Sequence, residues 1–228
     1  MANVKEQNVE STLNSKEAFF VKNQKAIIIA VIAIILLIAG VFLYKNYVSE
    51  PRENEASTAI AKGQDYFASE DFEKALQGDK NGFAGFAKLA EDYSGTEAGN
   101  LAKLYAGICS ANLGKWQDAV NYLEAFSTRD DAIISPAAVA ALGNAYANLK
   151  QPEKAIENLL KAAKMADSQA SDNTNNSIAP TFLLQAAALM EANGKKEEAL
   201  KIYKEIKNKY IASSVAAEID KYIERASR

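Results

Sequence analysis

The sequence predicts an all-α protein: one membrane-spanning helix near the amino terminus, then a superhelix of irregular helical hairpins closed by a capping helix. Three observations carry this prediction. Residues Ala26 to Tyr44 read AIIIAVIAIILLIAGVFLY, nineteen residues without a charge. Beyond Pro51 the apolar residues recur at helical spacing, and the pattern repeats at an offset of 36 residues. The 228 residues include no histidine and one cysteine, so the side chains that most often carry catalysis and metal binding are scarce.

The elements follow in chain order. Residues 1 to about 13 are polar and expected to be disordered. Asn14 followed by Glu17 has the spacing of a capping box, which would start a juxtamembrane helix carrying Phe19 and Phe20 into the interface. Residues 1–25 thus form a tail and 26–44 the transmembrane helix. Nineteen residues at about 1.5 Å each span roughly 28 Å, close to the hydrocarbon thickness. Lys22 and Lys25 precede this run, and Tyr44, Lys45 and Tyr47 follow it, as interfacial residues do. An uninterrupted apolar run all round the helix argues against a buried core helix. A cleaved signal peptide fits less well than an uncleaved signal-anchor. Twenty-five residues precede the run, and no small-x-small site follows Tyr44. Cys109 lies too far downstream for lipoprotein processing. Basic residues are balanced, with Lys16, Lys22 and Lys25 before the span against Lys45, Arg52 and Lys62 after it. The short tail therefore decides the expected orientation: amino terminus cytoplasmic, large domain translocated.

Residues 51–228 form the second domain. Gly107-Ile-Cys-Ser-Ala-Asn-Leu aligns with Gly143-Asn-Ala-Tyr-Ala-Asn-Leu, and the same offset pairs Ala119 with Ala155, Val120 with Ile156 and Leu123 with Leu159. Weaker copies contain Gly63, Tyr66, Phe72 and Ala75, and Leu183, Gly194, Ala199 and Tyr203. This pattern resembles the tetratricopeptide repeat, a 34-residue helix-turn-helix module, over roughly residues 56 to 210. The best copy carries Leu142, Gly143, Tyr146, Ala155, Leu159 and Ala162 at the consensus intervals. The resemblance implies a right-handed superhelix in which small Gly143 and Ala155 allow two helices of one hairpin to approach.

Departures from the consensus mark irregularity. Ser110 replaces the large aromatic in the second copy, and Asp167 stands where the repeat-ending proline is usual. The matched alanines 75, 119, 155 and 199 are spaced 44, 36 and 44 apart. The first excess falls at Gln77-Gly-Asp-Lys-Asn-Gly, which should break the second helix and restart it near Phe83. The other falls at the polar run Ser168 to Ser177. Ser213 to Arg228, with Val215, Ile219, Tyr222 and Ile223 on one face, predicts the capping helix.

The residues do not assemble a catalytic centre. Cys109 lies inside a repeat's first helix and reads as a buried, inert thiol. The acidic pairs Glu91-Asp92, Asp130-Asp131 and Glu197-Glu198 sit at helix ends or polar faces without other ligands nearby. Gly82 and Gly85 bracket a turn rather than a phosphate loop, and Trp116 packs at a hairpin turn. A net charge of −3 gives no electrostatic pull toward nucleic acid. No enzyme activity, metal or cofactor is expected.

A protein-binding groove is expected instead. In the repeat family the first helix of each hairpin lines the concave face. Carrying those positions over gives Ile60, Gln64 and Phe67, then Leu104, Ile108 and Asn112, then Asn144 and Asn148, then Leu184 and Glu191. Asparagine amides suit the backbone of an extended peptide. The lysines and arginines of the family's carboxylate clamp are missing, which disfavours chaperone-tail binding. The layout of tail, single span and irregular repeats ending on Tyr203, Ile206, Lys207 and Tyr210 resembles the bacterial YfgM-like family of ancillary Sec translocon subunits. That resemblance implies an inner-membrane protein whose periplasmic repeats meet translocon subunits, exported chains or chaperones. The alternative is a scaffold, acting as a homo-oligomer, for another envelope machine such as division or outer-membrane assembly.

Overall fold

The computed structural model describes the backbone of residues 2–228 and the side chains from Lys22 onward. The capping pair Asn14 and Glu17 and the interfacial placement of Phe19 and Phe20 lie outside the described side chains. Among the described residues every regular element is helical. The chain divides into two compact units, residues 1–52 and residues 53–228.

The first unit is dominated by α1 (Ala2–Tyr44). Its backbone is helical well before the expected start at Asn14, since extending an existing helix adds a bond per residue without new nucleation. The apolar stretch is long enough to cross a membrane and none of it is buried. Leu36 and Leu37 are 67% and 70% exposed, as befits a candidate span awaiting a lipid solvent. A π-helical turn, Lys45–Ser49, precedes α2 (Glu50–Ala68).

The second unit is a stack of hairpins. α2 pairs with the short α3 (Phe72–Gln77), and α4 (Phe86–Asp92) resumes the second helix after the insert. Next come α5 (Glu97–Asn112) with α6 (Trp116–Glu124), α7 (Ile134–Asn148) with α8 (Pro152–Ser168), and α9 (Ala179–Ala192) with α10 (Lys196–Lys209). The expected cap is α11 (Ser214–Ser227), whose start is held by the Ser213 hydroxyl accepting from Ala216 N at 3.1 Å. It packs on α9 and α10, burying Ile219 and leaving Glu218, Lys221 and Glu224 outward.

All four hairpins turn by the same device. Glu70, Gly114, Lys150 and Gly194 each take a left-handed conformation, with φ of 59°, 72°, 60° and 79°. The following residue donates back across the turn, Asp71 N to Tyr66 O, Lys115 N to Ser110 O, Gln151 N to Tyr146 O and Lys195 N to Met190 O, all at 2.9–3.0 Å. This is a Schellman closure. It aims Ala75, Ala119, Ala155 and Ala199 into the stack, where each is fully buried. The turns share the spacing of these alanines, so the extra residues of the longer intervals lie beyond them: the first excess is the insert between α3 and α4, and the other lengthens α8 to 17 residues against 9 in α6.

Three consecutive core clusters run along the stack. The first gathers Ile60, Phe83, Phe86 and Leu89; the second Leu104, Val120, Leu123 and Tyr146; the third Leu159, Leu183, Tyr203, Ile206 and Ile219. Close approach within a hairpin depends on glycine. A Cβ at Gly107 would stand 2.6 Å from Leu123 Cγ, and one at Gly143 3.0 Å from Leu159 Cγ.

An aspartate organises each longer connector. Asp79 accepts from Tyr66 Oη, Asn81 N and Phe83 N. Asp131 receives Ile133 N, Ile134 N and Ser135 N ahead of α7. Asp167 receives Asn175 N at 2.8 Å, Lys209 Nζ at 2.5 Å and Tyr210 Oη at 2.6 Å. Multiple N–H donors on one carboxylate satisfy backbone groups that a loop would otherwise leave unpaired.

Candidate partner groove

The first helix of each hairpin, α2, α5, α7 or α9, carries the residues expected to line a groove. Gln64 and Phe67 come from α2 and both meet Tyr105 of α5. The Gln64 amide donates to Tyr105 Oη at 3.0 Å, and the Phe67 ring lies edge-on to Tyr105 with centroids 5.0 Å apart. Phe67 also stands edge-on to Phe72, and Tyr105 stacks on Phe86 at 4.6 Å. This aromatic set fixes α2 against α5. A cleft of about 330 Å³ lies beside it, lined by Glu53, Ser57, Ile60, Gln64, Glu97 and Leu101.

Leu104 is buried in the second core cluster, and Ile108 and Leu184 are half-buried against core. Packing is thus the first task of these three. Asn112, Asn144 and Asn148 are exposed, and Asn112 and Asn148 are the last residues of their helices. Asn112 Nδ2 donates to Ile108 O and Asn148 Nδ2 to Asn144 O, each at 2.9 Å, which engages one amide hydrogen of each. The two asparagines hold equal places on α5 and α7, which touch. Glu191 differs from its expected place on the groove. It accepts Arg225 at 2.9 and 2.7 Å and the Tyr203 hydroxyl at 3.0 Å, tying α9 to the cap. Hydrogen bonds from Arg225 hold its carboxyl below the usual range, with burial opposing.

Consensus positions do not pick out Ser57, Leu101 and Tyr105. An apolar stripe does point to Leu101, three residues before Leu104 and seven before Ile108. Tyr105 has no such signal, because the next copy places Ala141 at its position. A larger cleft of about 530 Å³ uses the other face of α2, with Thr58, Lys62, Phe83, Leu89 and Tyr93.

Polar clasps join successive hairpins at the connector end. Glu53 caps α5 by accepting Glu97 N at 2.7 Å and Ala98 N at 2.8 Å. Asn100 exchanges two 2.8 Å bonds with the backbone of Ser127, and Asn175 donates to Ala132 O. Among the described residues no cluster of metal-ligating side chains occurs. Burial pushes the Cys109 thiol up to about 12, so it stays protonated.

Comparison with known proteins agrees with this architecture. Residues 17–166 match the family described as Tetratricopeptide repeat-like domain, and residues 181–210 match Tetratricopeptide repeat. No curated protein gives a significant match. A crystal structure of nearly identical TPR-like repeats from a Podosopora anserina chain assigned as a kinesin light chain superposes with a TM-score of 0.58 at 14% identity, covering 76% of this chain and 86% of that one. A point variant of those repeats gives the same score and identity with 85% of that chain covered. At such identity the likeness concerns the fold. The family match spans more than half of the sequence, and the chain belongs to the tetratricopeptide repeat-like domain family.

Proposed function

We propose that this protein is a membrane-tethered adaptor that holds other proteins on the concave face of its repeats and performs no catalysis. One observation carries the reading. A charge-free, unburied apolar stretch of α1 precedes a stack whose first helices leave Gln64, Asn112, Asn144 and Asn148 reachable from solvent. Repeats of this kind are interaction scaffolds, and a tether raises the effective concentration of a weak binder at one surface. The inner-face candidates are Gln64, Phe67, Leu104, Ile108, Asn112, Asn144, Asn148 and Leu184, with the edge residues Ser57, Leu101 and Tyr105.

The residue layout shared with YfgM-like proteins supports a finer version. Residues 26–44 anchor the chain in a bacterial inner membrane with its amino terminus cytoplasmic. The repeats then meet Sec translocon subunits, exported polypeptides or their chaperones in the periplasm. A photo-crosslinking residue at Asn144 should capture such proteins in cells, whereas one at Lys201 on an outer helix should not. Equal capture from both positions would overturn the groove. Capture of division or outer-membrane assembly proteins without translocon subunits would overturn the finer version. Protease access to the repeats from the periplasmic side tests the orientation.

A further inference from the structure

Among the described residues from Glu53 to Arg228, three large apolar side chains are exposed: Ile133 at 64%, Ile134 at 50% and Ile211 at 78%. Exposed apolar residues scattered singly carry no message. These three share one end of the stack. Ile133 and Ile134 stand at the start of α7, and Ile211 lies in the connector between α10 and α11.

Hydrogen bonds tie the connectors at this end into one edge that begins at α2. Glu53 accepts from Glu97 N at 2.7 Å, the Glu97 carboxylate accepts from Arg129 at 2.7 Å, and Arg129 N donates to Ser135 Oγ at 2.7 Å. Asn175 donates its amide to Ala132 O and its backbone N–H to Asp167. Asp167 in turn accepts from Tyr210, the residue before Ile211. The turns at Glu70, Gly114, Lys150 and Gly194 close the opposite end. The isoleucines are not on loose loops. Asp131 Oδ1 holds Ile133 N at 3.0 Å and Ile134 N at 2.5 Å, and Ser213 donates twice to Tyr210 O around Ile211. The fold holds all three outward against a hydrophobic cost in water.

The chain itself names what could remove that cost. Glu53, the first member of the edge, follows Tyr44, the last residue of the apolar run, by nine residues. A segment of that length reaches at most about 30 Å, so a bilayer crossed by the run is within reach of this end. We propose that the connector end of the stack rests on the lipid bilayer, with Ile133, Ile134 and Ile211 entering its interfacial layer. The proposal rests on the membrane-tether reading above. The attraction is apolar, growing with the area the isoleucines bury. Asp130 and Asp172 are exposed at the same end, so anionic lipid is not preferred.

The test uses the full-length chain reconstituted in phosphatidylcholine vesicles, part of whose lipid carries a doxyl quencher high on the acyl chain. A bimane label on Ala212→Cys reports on the connector end, and one on Glu153→Cys on the turn end. Both positions are exposed, whereas Cys109 is buried and escapes the label. Doxyl lipid should quench the label at 212 at least about threefold more than the label at 153. Replacing part of the phosphatidylcholine with phosphatidylglycerol should not raise that quenching. Changing Ile133, Ile134 and Ile211 together to Asn should remove the difference, with circular dichroism and Tm unchanged. Equal quenching at the two positions, or quenching at 212 that survives the triple variant, would overturn the inference. So would self-crosslinking through position 212 without lipid quenching, which would assign the isoleucines to a second copy of the chain. If the chain floats with the vesicles but the label at 212 is not quenched, the inference falls and the tether stands. If the chain does not float with them, both fall.

Discussion

Tyr210 donates its hydroxyl to Asp167 Oδ2 across 2.6 Å, joining the end of α10 to the end of α8. Tyr210 is 1% exposed and Asp167 9% exposed, so the bond is shielded from water. Burial, with the Asp167 carboxylate adding to it, pushes the Tyr210 hydroxyl well above its usual range. The same carboxylate holds Asn175 N, which starts the descent of the polar connector toward α9. Asp167 stands where the repeat consensus has proline, and it secures by hydrogen bonding a turn that proline would secure by stiffness.

Asp167→Ala should therefore destabilise the repeats by about 3 kcal/mol, because a buried hydroxyl and a connector N–H lose their acceptor together. Tyr210→Phe should cost about 1 to 2 kcal/mol, since the carboxylate keeps Lys209 and Asn175. The double variant should be less damaging than the sum. Urea unfolding measures all three, and hydrogen exchange at Asn175 should rise in Asp167→Ala. Additive costs would mean that the two residues act separately.

Lys150→Gly should stabilise the protein. Lys150 occupies a left-handed turn with φ of 60° where two of the other three hairpins use glycine. The strain of about 1 to 2 kcal/mol exceeds the extra chain entropy of glycine, about 0.5 to 1 kcal/mol. A rise in Tm of about 2 °C is expected from calorimetry. Gly114→Ala should move Tm the other way.

These cases show which features local pattern reveals. Gly107 and Gly143 are legible because close helix contact needs a missing side chain, and the sequence repeats the pair 36 residues apart. The break at Gln77 and the cap from Ser213 are legible for the same kind of local reason. The left-handed Glu70 and Lys150 are not, since neither residue type advertises positive φ. Glu191 shows a different limit. Repeat spacing assigns it to the groove, but its partner Arg225 lies 34 residues away on a helix outside the repeat pattern. Asp167 is visible in sequence only as a departure, because its donors arrive from two later segments.

Ser110→Ala should raise stability by about 1 kcal/mol. Ser110 is fully buried and its hydroxyl has no hydrogen-bond partner, a costly arrangement in a dry helix interface. It stands where the next repeat has Tyr146, whose own hydroxyl reaches the Glu124 carboxylate and is pushed up to about 12 by it. Ser110→Tyr should lower stability, because Cys109 and Ala106 already fill that layer to zero exposure. Chemical denaturation of the two variants distinguishes these outcomes.

Glu191 gives the cap a pH dependence. Its folded pKa is depressed, chiefly by Arg225, so its contribution is present above the ordinary value near 4.5 and is lost as pH falls through the folded value. On the alkaline side Tyr203 is pushed up to about 12, first by burial and then by Glu191. The neutral phenol is favoured in the fold, so that stability is full below pH 10 and fades toward about 12. Glu191→Gln should flatten the acid limb of a Tm-versus-pH curve below about pH 4.5. An unchanged acid limb would mean that other carboxylates carry it.

Gly107→Ala should destabilise, and a change on the facing helix should reverse much of the loss. The added Cβ would meet Leu123 Cγ at 2.6 Å and Cδ2 at 2.8 Å, and both helices are held by the Gly114 turn. Overpacking of this kind costs about 1 to 3 kcal/mol, only partly offset by about 1 kcal/mol of better helix propensity. Leu123→Ala alone opens a cavity in the second core cluster and should cost about 2 to 4 kcal/mol. In the Gly107→Ala background the same truncation removes the clash, so the double variant should be at least about 1 kcal/mol more stable than the sum predicts. Gly143→Ala should cost less from the side-chain contact alone, because Leu159 Cγ stands at 3.0 Å, but Ala155 O also lies at 3.0 Å and backbone cannot rotate aside. Truncating Leu159 should therefore rescue Gly143→Ala poorly, and the contrast between the two cycles separates side-chain crowding from backbone crowding in hairpins that share one sequence pattern.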